Sequence, residues 1–466
     1  MKYCTIENKQ IPIIAEVDVL VCGGGCAGVG AAISAARQGA KTLVVERMFS
    51  LGGMMTGGLM SKVAISPTNN SLALEILNRL DDLQKTSFAK SRPEVPIDPE
   101  ATKLILDTMT VEEAKAQVLF GSVVCDVITN EGQISTVLVE NIEGTQAIAA
   151  KFVIDCTGDG QLAFKAGAEY VAGNSQGYSS SPTLMFRVGN CNPDALLDYM
   201  EANPEDFAIS YHTYSNHKLS PKQNRENIRK DMYAHFADFI RYIDKIIAQN
   251  PERFTEWEKK VLHQRGLIFL NQPKPNQVLV NSSRIPLFKG TDAIELSDAM
   301  IEGRKQVELL FSFMKTYLPG FEDSYLFDTG SLLGIRESRR IVGDYIFTQE
   351  DVQSLRKFDD VIVSNHGGVE IHSTDGTGTD IRELDPTEFY HVPYRSIIAK
   401  GFKNMLMAGR CFSATHAALS AARNIAYCIA LGEAAGAAAA YLAKQGKTDV
   451  RDIDILWLQE VMKHAI

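Results

Sequence analysis

Residues 18–28, with the sequence DVLVCGGGCAG, join a short apolar run to a glycine-rich turn. The turn has the spacing GxGxxG, and an Ala-rich helical segment, Ala31–Arg37, follows it. A second apolar run, Thr42–Val45, ends at the acid Glu46. A buried strand, a glycine turn, a helix and a second strand ending in an acid form the βαβ unit that binds dinucleotides. The sequence therefore predicts a dinucleotide site in this segment.

Each part of the turn has its own task in this interpretation. Gly23 permits the tight turn, Gly25 lets the backbone approach a pyrophosphate, and Gly28 lets the helix and strand pack closely. The helix N-terminus offers free N–H groups and the positive end of its dipole to the phosphates. Glu46 lies where a carboxylate accepts hydrogen bonds from an adenosine ribose. The alternative is an ordinary glycine-rich turn between a strand and a helix, which needs no such acid.

A second glycine-rich segment, residues 51–58 with the sequence LGGMMTGG, follows the acid closely. The chain stays irregular here, as expected if its backbone lines the remainder of a longer cofactor. These features resemble the FAD-dependent oxidoreductases of the glutathione-reductase-2 structural type, so the resemblance implies FAD. The disulfide reductases that share this domain carry a redox-active cysteine pair after the glycines. Because Met54 and Met55 stand there, we do not expect a dithiol reductase.

Three later segments strengthen the resemblance. Residues 152–160 (FVIDCTGDG) form an apolar run that ends in TGDG. Residues 333–341 (LGIRESRRI) and 404–416 (NMLMAGRCFSATH) match the GIRESRRI and AGRxxSATH signatures of one uncharacterised flavoprotein family. The resemblance implies that the helix after the last segment points its N-terminus at the flavin pyrimidine, where it would stabilise negative charge. Arg410 stands where many related flavoproteins have an aspartate.

The residues and the resemblance together assign cofactor contacts to Gly23, Gly25, Cys26, Ala27, Gly28, Glu46, Arg47, Gly52, Gly53, Met54, Val124, Thr157, Gly158, Asp159, Gly409, Arg410, Ala414, Thr415 and His416.

The fold class predicted from these segments is α/β. We expect a discontinuous FAD-binding, Rossmann-like domain over residues 1–172 and 331–466, with a mixed α+β substrate lobe over residues 173–330. Apolar runs at Val123–Ile128, Ile134–Glu140 and Ala147–Ile154, separated by glycine turns, predict an inserted β-meander. In the middle segment, residues 222–248 and 298–317 have the charged pattern of solvated helices.

Composition limits the partners and the compartment. The chain has 466 residues, 45% of them hydrophobic, and a net charge of −10. A negative chain has no basic stripe for phosphates, so we expect no nucleic acid partner. The eight cysteines contain no CxxC, which argues against a metal site and favours a reducing compartment. Residues 1–8 lack the apolar core of a signal peptide, and the Ala-rich stretch Ile425–Leu442 indicates an interior helix. We expect a cytoplasmic protein without a membrane span, and the sequence leaves a homo-oligomer open.

Three residues are candidates for catalysis. His372, two residues after Glu370 on a predicted strand, would lie on the same face near a substrate and could act as base when a C–H bond gives its hydride to flavin N5. A surface histidine with an ordinary hydrogen bond is the alternative. Arg336 is a candidate for pairing with a substrate carboxylate, and an internal ion-pair network with Glu337 is its alternative. His416 is a candidate for the flavin edge, with helix capping as its alternative.

The sequence therefore predicts an enzyme that uses non-covalent FAD to transfer a hydride between a small organic substrate and flavin N5. An external electron acceptor or donor would restore the flavin. A flavin monooxygenase or halogenase shares the same architecture and is the alternative enzyme class. The third interpretation is a flavin-binding subunit without redox turnover.

Overall fold

The computed structural model describes residues 10–65, 72–87, 94–203, 206, 239–376, 379–382, 384–385 and 387–466. The first part of the predicted charged helix, residues 222–238, lies outside this range.

In chain order, the strands are β1 Ile13–Cys22, β2 Thr42–Val45, β3 Lys62–Ala64, β4 Glu94–Pro96, β5 Gln117–Leu119, β6 Val123–Asn130, β7 Gln133–Asn141, β8 Gly144–Asp155, β9 Tyr170–Ala172, β10 Phe186–Gly189, β11 Phe269–Asn271, β12 Gln277–Val280, β13 Tyr325–Thr329, β14 Arg339–Ile341, β15 Val361–Asn365, β16 Val369–His372, β17 Thr379–Arg382, β18 Tyr390–Pro393 and β19 Met405–Met407. The α-helices are α1 Cys26–Arg37, α2 Leu72–Gln84, α3 Pro99–Asp107, α4 Gln161–Lys165, α5 Pro193–Ala202, α6 Ile240–Gln249, α7 Glu256–Arg265, α8 Ala293–Tyr317, α9 Gln349–Gln353, α10 His416–Ala422, α11 Ile425–Lys444 and α12 Ile455–Met462.

The largest sheet is parallel around β1. Its strands follow the order β5-β2-β1-β8, and β19 pairs in parallel with the last residues of β8. In this register, Cys22 at the end of β1 lies beside Val45 of β2 and Asp155 of β8. Parallel strands buried on both faces suit continuous apolar runs such as these. The predicted α/β class is confirmed, and the carboxyl ends of the strands meet at one edge of the sheet.

The predicted meander is part of the same sheet. Strands β6, β7 and β8 pair antiparallel in sequence order. The third strand is longer than expected, because Gly144–Asp155 runs on into the segment that precedes TGDG. A single strand therefore belongs to the meander at its start and to the parallel sheet at its end.

Helix α11 packs directly against α1. A Cβ atom on Gly432 or Gly436 would collide with the carbonyl oxygen of Ala27 or Ala31, and one on Gly30 would collide with that of Ile429. Only glycine permits so close an approach of two helix backbones. Among the described residues, α11 is the one helix long and apolar enough to cross a membrane, with a hydropathy of 1.5, and 83% of that window is buried inside the protein.

The middle segment has its own sheet and its own apolar cluster. Its antiparallel sheet has the order β11-β12-β10-β13, and α8 extends the predicted helix 298–317 back to Ala293, with Asp292 as its N-cap. The buried members of this cluster extend from Leu184 to Leu333. The precise division of the chain into residues 1–172 plus 331–466 and residues 173–330 stays a prediction.

Candidate functional site

The glycine turn lies at the carboxyl end of β1 and leads into α1. Gly25 is the N-cap of α1, and no side chain caps that end. A Cβ atom on Gly25 would meet no atom within 4 Å. A Cβ atom on Gly28 would instead collide with the carbonyl oxygen of Gly23, whose own φ is +100°. The turn therefore leaves open space in front of the free N–H groups of the helix, as an anion site requires.

Glu46 closes the other side of the turn. Its Oε2 accepts a hydrogen bond from the Gly24 backbone N–H at 2.6 Å, and its Oε1 accepts one from Met48 N–H at 2.7 Å. Each carboxylate oxygen can accept a second hydrogen bond. The side chain is thus fixed by the backbone and still able to bind a ribose diol. Together with the open space at Gly25, this geometry fits the adenosine diphosphate half of FAD.

The TGDG segment continues the site at the end of β8. Asp159 accepts a hydrogen bond from Ser338 Oγ at 2.8 Å and forms an ion pair with Arg410, and Arg47 lies 3.9 Å away. Burial would raise the pKa of the Asp159 carboxyl, but the charge and hydrogen bond of Arg410 and the charge of Arg47 lower it. Arg410 also donates to the carbonyl oxygen of Ile335 at 3.2 Å. Arg410 therefore connects the TGDG, GIRESRRI and AGRxxSATH segments.

A cavity of about 1100 Å³ extends from the glycine turn to the middle segment. Its wall includes most of the residues to which cofactor contacts were assigned. These are Gly23, Gly25, Cys26, Ala27, Glu46, Arg47, Gly53, Met54, Val124, Thr157, Gly158, Asp159, Gly409 and Arg410. Five assigned residues do not line it: Gly28, Gly52, Ala414, Thr415 and His416.

Contacts within the protein involve four of those five residues. Gly28 packs on the turn, and Gly52 has a φ of +95°, which favours glycine. Thr415 caps α10 through its side chain. His416 Nδ1 donates a hydrogen bond to Glu337 Oε2 at 2.6 Å. Burial and the charges of Arg340 and Arg423 lower the pKa of His416 to about 4. A neutral ring bound to Glu337 cross-links two segments, and the expected contact of His416 with the flavin edge stays a prediction.

Glu370 and His372 lie together in the cavity wall, in a part that we call the Glu370 end of the cavity. His372 Nε2 is 3.2 Å from Glu370 Oε1, and Arg284 Nη2 is 3.4 Å from His372 Nδ1. Because Arg284 can only donate, Nδ1 accepts and Nε2 carries the proton that is donated to Glu370. The Glu370 side chain is 47% exposed and that of His372 is 4% exposed. Both line the cavity, and Glu370 presents the larger surface to it.

The surrounding charges explain the protonation of this pair. Burial and the charge of Arg336 hold the pKa of His372 well below its usual range, so the ring is neutral. Burial would raise the pKa of the Glu370 carboxyl, but the hydrogen bond from His372 and the charges of Arg423 and Arg265 hold it well below its usual range. Glu370 is therefore an ionised carboxylate held by a neutral histidine.

Arg336 lines the same end of the cavity, as the sequence suggested. Its Nη1 donates to the carbonyl oxygen of Ser181 at 2.6 Å and to Thr183 Oγ1 at 3.1 Å. The expected alternative, an ion pair with Glu337, is formed instead by Arg340 and His416. Sequence reasoning missed Arg265, Arg284 and Arg423, which also line this end. Arg265 is the last residue of α7, whose charged sequence is typical of a solvated helix. No local motif marks Arg284 or Arg423.

The fold and the site define a flavoprotein with an FAD-binding, Rossmann-like domain. Residues 18–462 match the family described as FAD dependent oxidoreductase, and the chain belongs to that family. It is therefore an oxidoreductase with FAD as its cofactor.

Comparison with individual proteins gives narrower likenesses. The chain is similar to thiamine thiazole synthase of Methanococcus aeolicus, with 34% identity over 153 residues, covering 31% of this chain and 55% of that protein. The corresponding protein of Methanococcus vannielii is 36% identical over 157 residues, covering 31% of this chain and 57% of that protein. The chain thus spans about half the length of the curated relatives it matches. Among solved structures, a geranylgeranyl bacteriochlorophyll reductase-like protein from Thermoplasma acidophilum has a TM-score of 0.48 and 14% identity, covering 96% of this chain and 83% of that chain.

Proposed function

We propose that this oxidoreductase transfers a hydride between a small organic substrate and flavin N5, with an external electron acceptor or donor. One observation carries the proposal: a single cavity joins the glycine turn to the Glu370–His372 pair. The cavity provides room for a cofactor and a substrate in sequence, and its wall combines residues of the FAD-binding segments with residues of the middle segment. Bound FAD supplies the two-electron chemistry.

The protein's own part is to orient the substrate and to hold a proton. A substrate that loses a hydride from carbon also loses a proton from its hydroxyl or amine group, and a positioned base accelerates that step. Glu370 faces the cavity as a carboxylate and can accept a hydrogen bond from such a group. His372 donates from Nε2 to Glu370 and so fixes the carboxylate in place. We therefore propose that the Glu370–His372 pair accepts the proton, whereas the sequence-based hypothesis named His372 alone as the base.

The test is anaerobic bleaching of the yellow protein by sugars, hydroxy acids, amines and unsaturated acids. We expect one class to reduce the flavin, and Glu370→Gln to slow that reduction about 10²–10⁴-fold, as loss of a general base does. His372→Ala should slow it less, because it leaves the carboxylate in place but removes the hydrogen bond that fixes it. His391→Ala is the matched control, because the His391 ring accepts from Phe358 N–H at 3.2 Å and does not line the cavity. Reduction of Glu370→Gln at the wild-type rate would exclude the pair as the base.

Bleaching that fails with every candidate would contradict hydride transfer from a small organic substrate. Consumption of NAD(P)H that requires oxygen would instead indicate a monooxygenase.

A further inference from the structure

Arginine side chains predominate at the Glu370 end of the cavity. Four guanidinium groups line it, those of Arg265, Arg284, Arg336 and Arg423, and among the described residues Glu370 is the one carboxylate there. The arginines come from α7, from the loop after β12, from the GIRESRRI segment and from the end of α10. The chain thus gathers positive charge from distant segments at one place.

The four guanidinium groups differ in their partners. Arg284 donates to Thr183 Oγ1 and to the carbonyl oxygen of Ser283, and Arg336 donates to Ser181 and Thr183. Arg265 has a buried Nη1 atom with no hydrogen-bond partner among the described residues. Burial lowers the pKa of Arg423, and the charge of Glu370 opposes this shift. Arginine keeps its charge in proteins, and Glu370 is one carboxylate among four arginines, so it compensates the charges of Arg265 and Arg423 only in part.

A half-buried cation that is compensated only in part destabilises a folded protein. Burial lowers the pKa of Arg265 to about 10 and that of Arg336 well below its usual range. A ligand that carries a carboxylate would remove this cost, since a guanidinium binds a carboxylate through two parallel hydrogen bonds. One carboxylate would still leave the arginines in excess over Glu370. The charge at this end is balanced better by a ligand with two.

We propose that this end of the cavity binds a small dicarboxylate, with one carboxylate on Arg265 and the other on Arg336 and Arg423. The inference rests on the proposed function in treating this ligand as the substrate. It goes further in naming the chemical class and the residues that select it. Arg265 is the decisive residue, because it lies on a helix of the middle segment and not at the carboxyl edge of the parallel sheet, where the phosphates of FAD bind.

The experiment measures binding to the full FAD-loaded protein, by calorimetry and by the melting temperature, without turnover. The probes are malonate, succinate and glutarate, with butyrate as the monocarboxylate, butyramide as the neutral compound and inorganic phosphate as a simple anion. We expect at least one dicarboxylate to bind tenfold or more tightly than butyrate and to raise the melting temperature. Equal effects of the best dicarboxylate and butyramide, or of the dicarboxylate and phosphate, would overturn the proposal.

Three variants connect the binding to Arg265. Arg265→Gln should weaken the best dicarboxylate tenfold or more, retain FAD, and melt no lower than the wild type without ligand, because it removes one of four cations around a single carboxylate. Arg265→Lys should restore part of the affinity. Arg253→Gln is the matched control, since Arg253 stacks on Tyr317 and does not line the cavity. Unchanged affinity in Arg265→Gln, or loss of its FAD, would refute the assignment.

The outcome is separable from that of the proposed function. A dicarboxylate that binds without bleaching the flavin supports this inference and contradicts hydride transfer from that ligand. Bleaching by a neutral substrate, with no dicarboxylate binding, would support the proposed function and contradict this inference.

Discussion

Replacing Gly25 by valine should separate cofactor binding from folding. Gly25 has φ −69° and ψ −167°, an extended conformation open to any residue, and a Cβ atom there meets no protein atom within 4 Å. The substitution therefore costs the free protein little. The first backbone hydrogen bond of α1 runs from Val29 N–H to the Gly25 carbonyl oxygen at 2.9 Å, so the preceding N–H groups are available to a phosphate. A valine side chain occupies the space in front of them.

The expected loss follows from those donors. A hydrogen bond to a charged group contributes about 1.5–3 kcal/mol. Losing one or two such hydrogen bonds weakens FAD binding by about 10- to 10⁴-fold, since each 1.4 kcal/mol corresponds to about a factor of ten in affinity. The assay is the ratio of flavin to protein absorbance in the purified variant, followed by titration of the apoprotein with FAD. Wild-type affinity in Gly25→Val, or an apoprotein that is unfolded, would refute the placement of the phosphates.

Gly28→Ala is the matched control for this prediction. Its Cβ atom would collide with the carbonyl oxygen of Gly23, so this substitution should distort the turn itself. The apoprotein should then melt at a lower temperature, whereas the Gly25→Val apoprotein should melt close to the wild type.

Two further predictions concern single side chains. Glu46→Ala should weaken FAD by about 1–3 kcal/mol, because it removes charge-assisted hydrogen bonds to a ribose; full flavin occupancy at limiting FAD would contradict this. His464→Gln should destabilise the protein by about 0.5–1 kcal/mol at about pH 5.5 and much less at about pH 9, as measured by urea unfolding. The hydrogen bond to Glu433 raises the pKa of His464, so the stabilisation is complete below the unfolded-state pKa of about 6.5 and is lost as the pH rises through the raised value. An effect of equal size at both pH values would show that the ion pair with Glu433 contributes nothing.

The cofactor end of the cavity could be predicted because its signals are local. The turn at residues 23–28 and the acid at position 46 belong to one βαβ unit, whose geometry follows from consecutive strands and a helix. TGDG and Gly409-Arg410 follow the strands β8 and β19, which pair in parallel with their ends at the same edge. Sequence order and sheet topology together bring these residues to one wall.

The composition of the Glu370 end of the cavity depends on contacts that no local sequence pattern encodes. Arg265 ends a helix with charged residues throughout, and its exposure to the cavity depends on how the middle segment packs. His416 illustrates the opposite case. Its place at the start of α10 predicts a flavin contact, which stays a prediction, and gives no sign of the hydrogen bond between its ring and Glu337 of another segment at 2.6 Å. The sequence alone does not show which distant side chain contacts the histidine.

The arginines and the Glu370–His372 pair form one electrostatic unit, and this has a consequence for the chemistry. The charges of Arg423 and Arg265 are among the interactions that hold the pKa of Glu370 low in the protein without substrate, and a weakly basic carboxylate is a poor proton acceptor. A carboxylate that pairs with these arginines would offset their charge and bring a second negative charge near Glu370. Both effects would raise the proton affinity of Glu370 in the step in which the proposed mechanism transfers a proton to it. The arginine excess that destabilises the free protein would then serve both to select an anion and to activate the base by its binding.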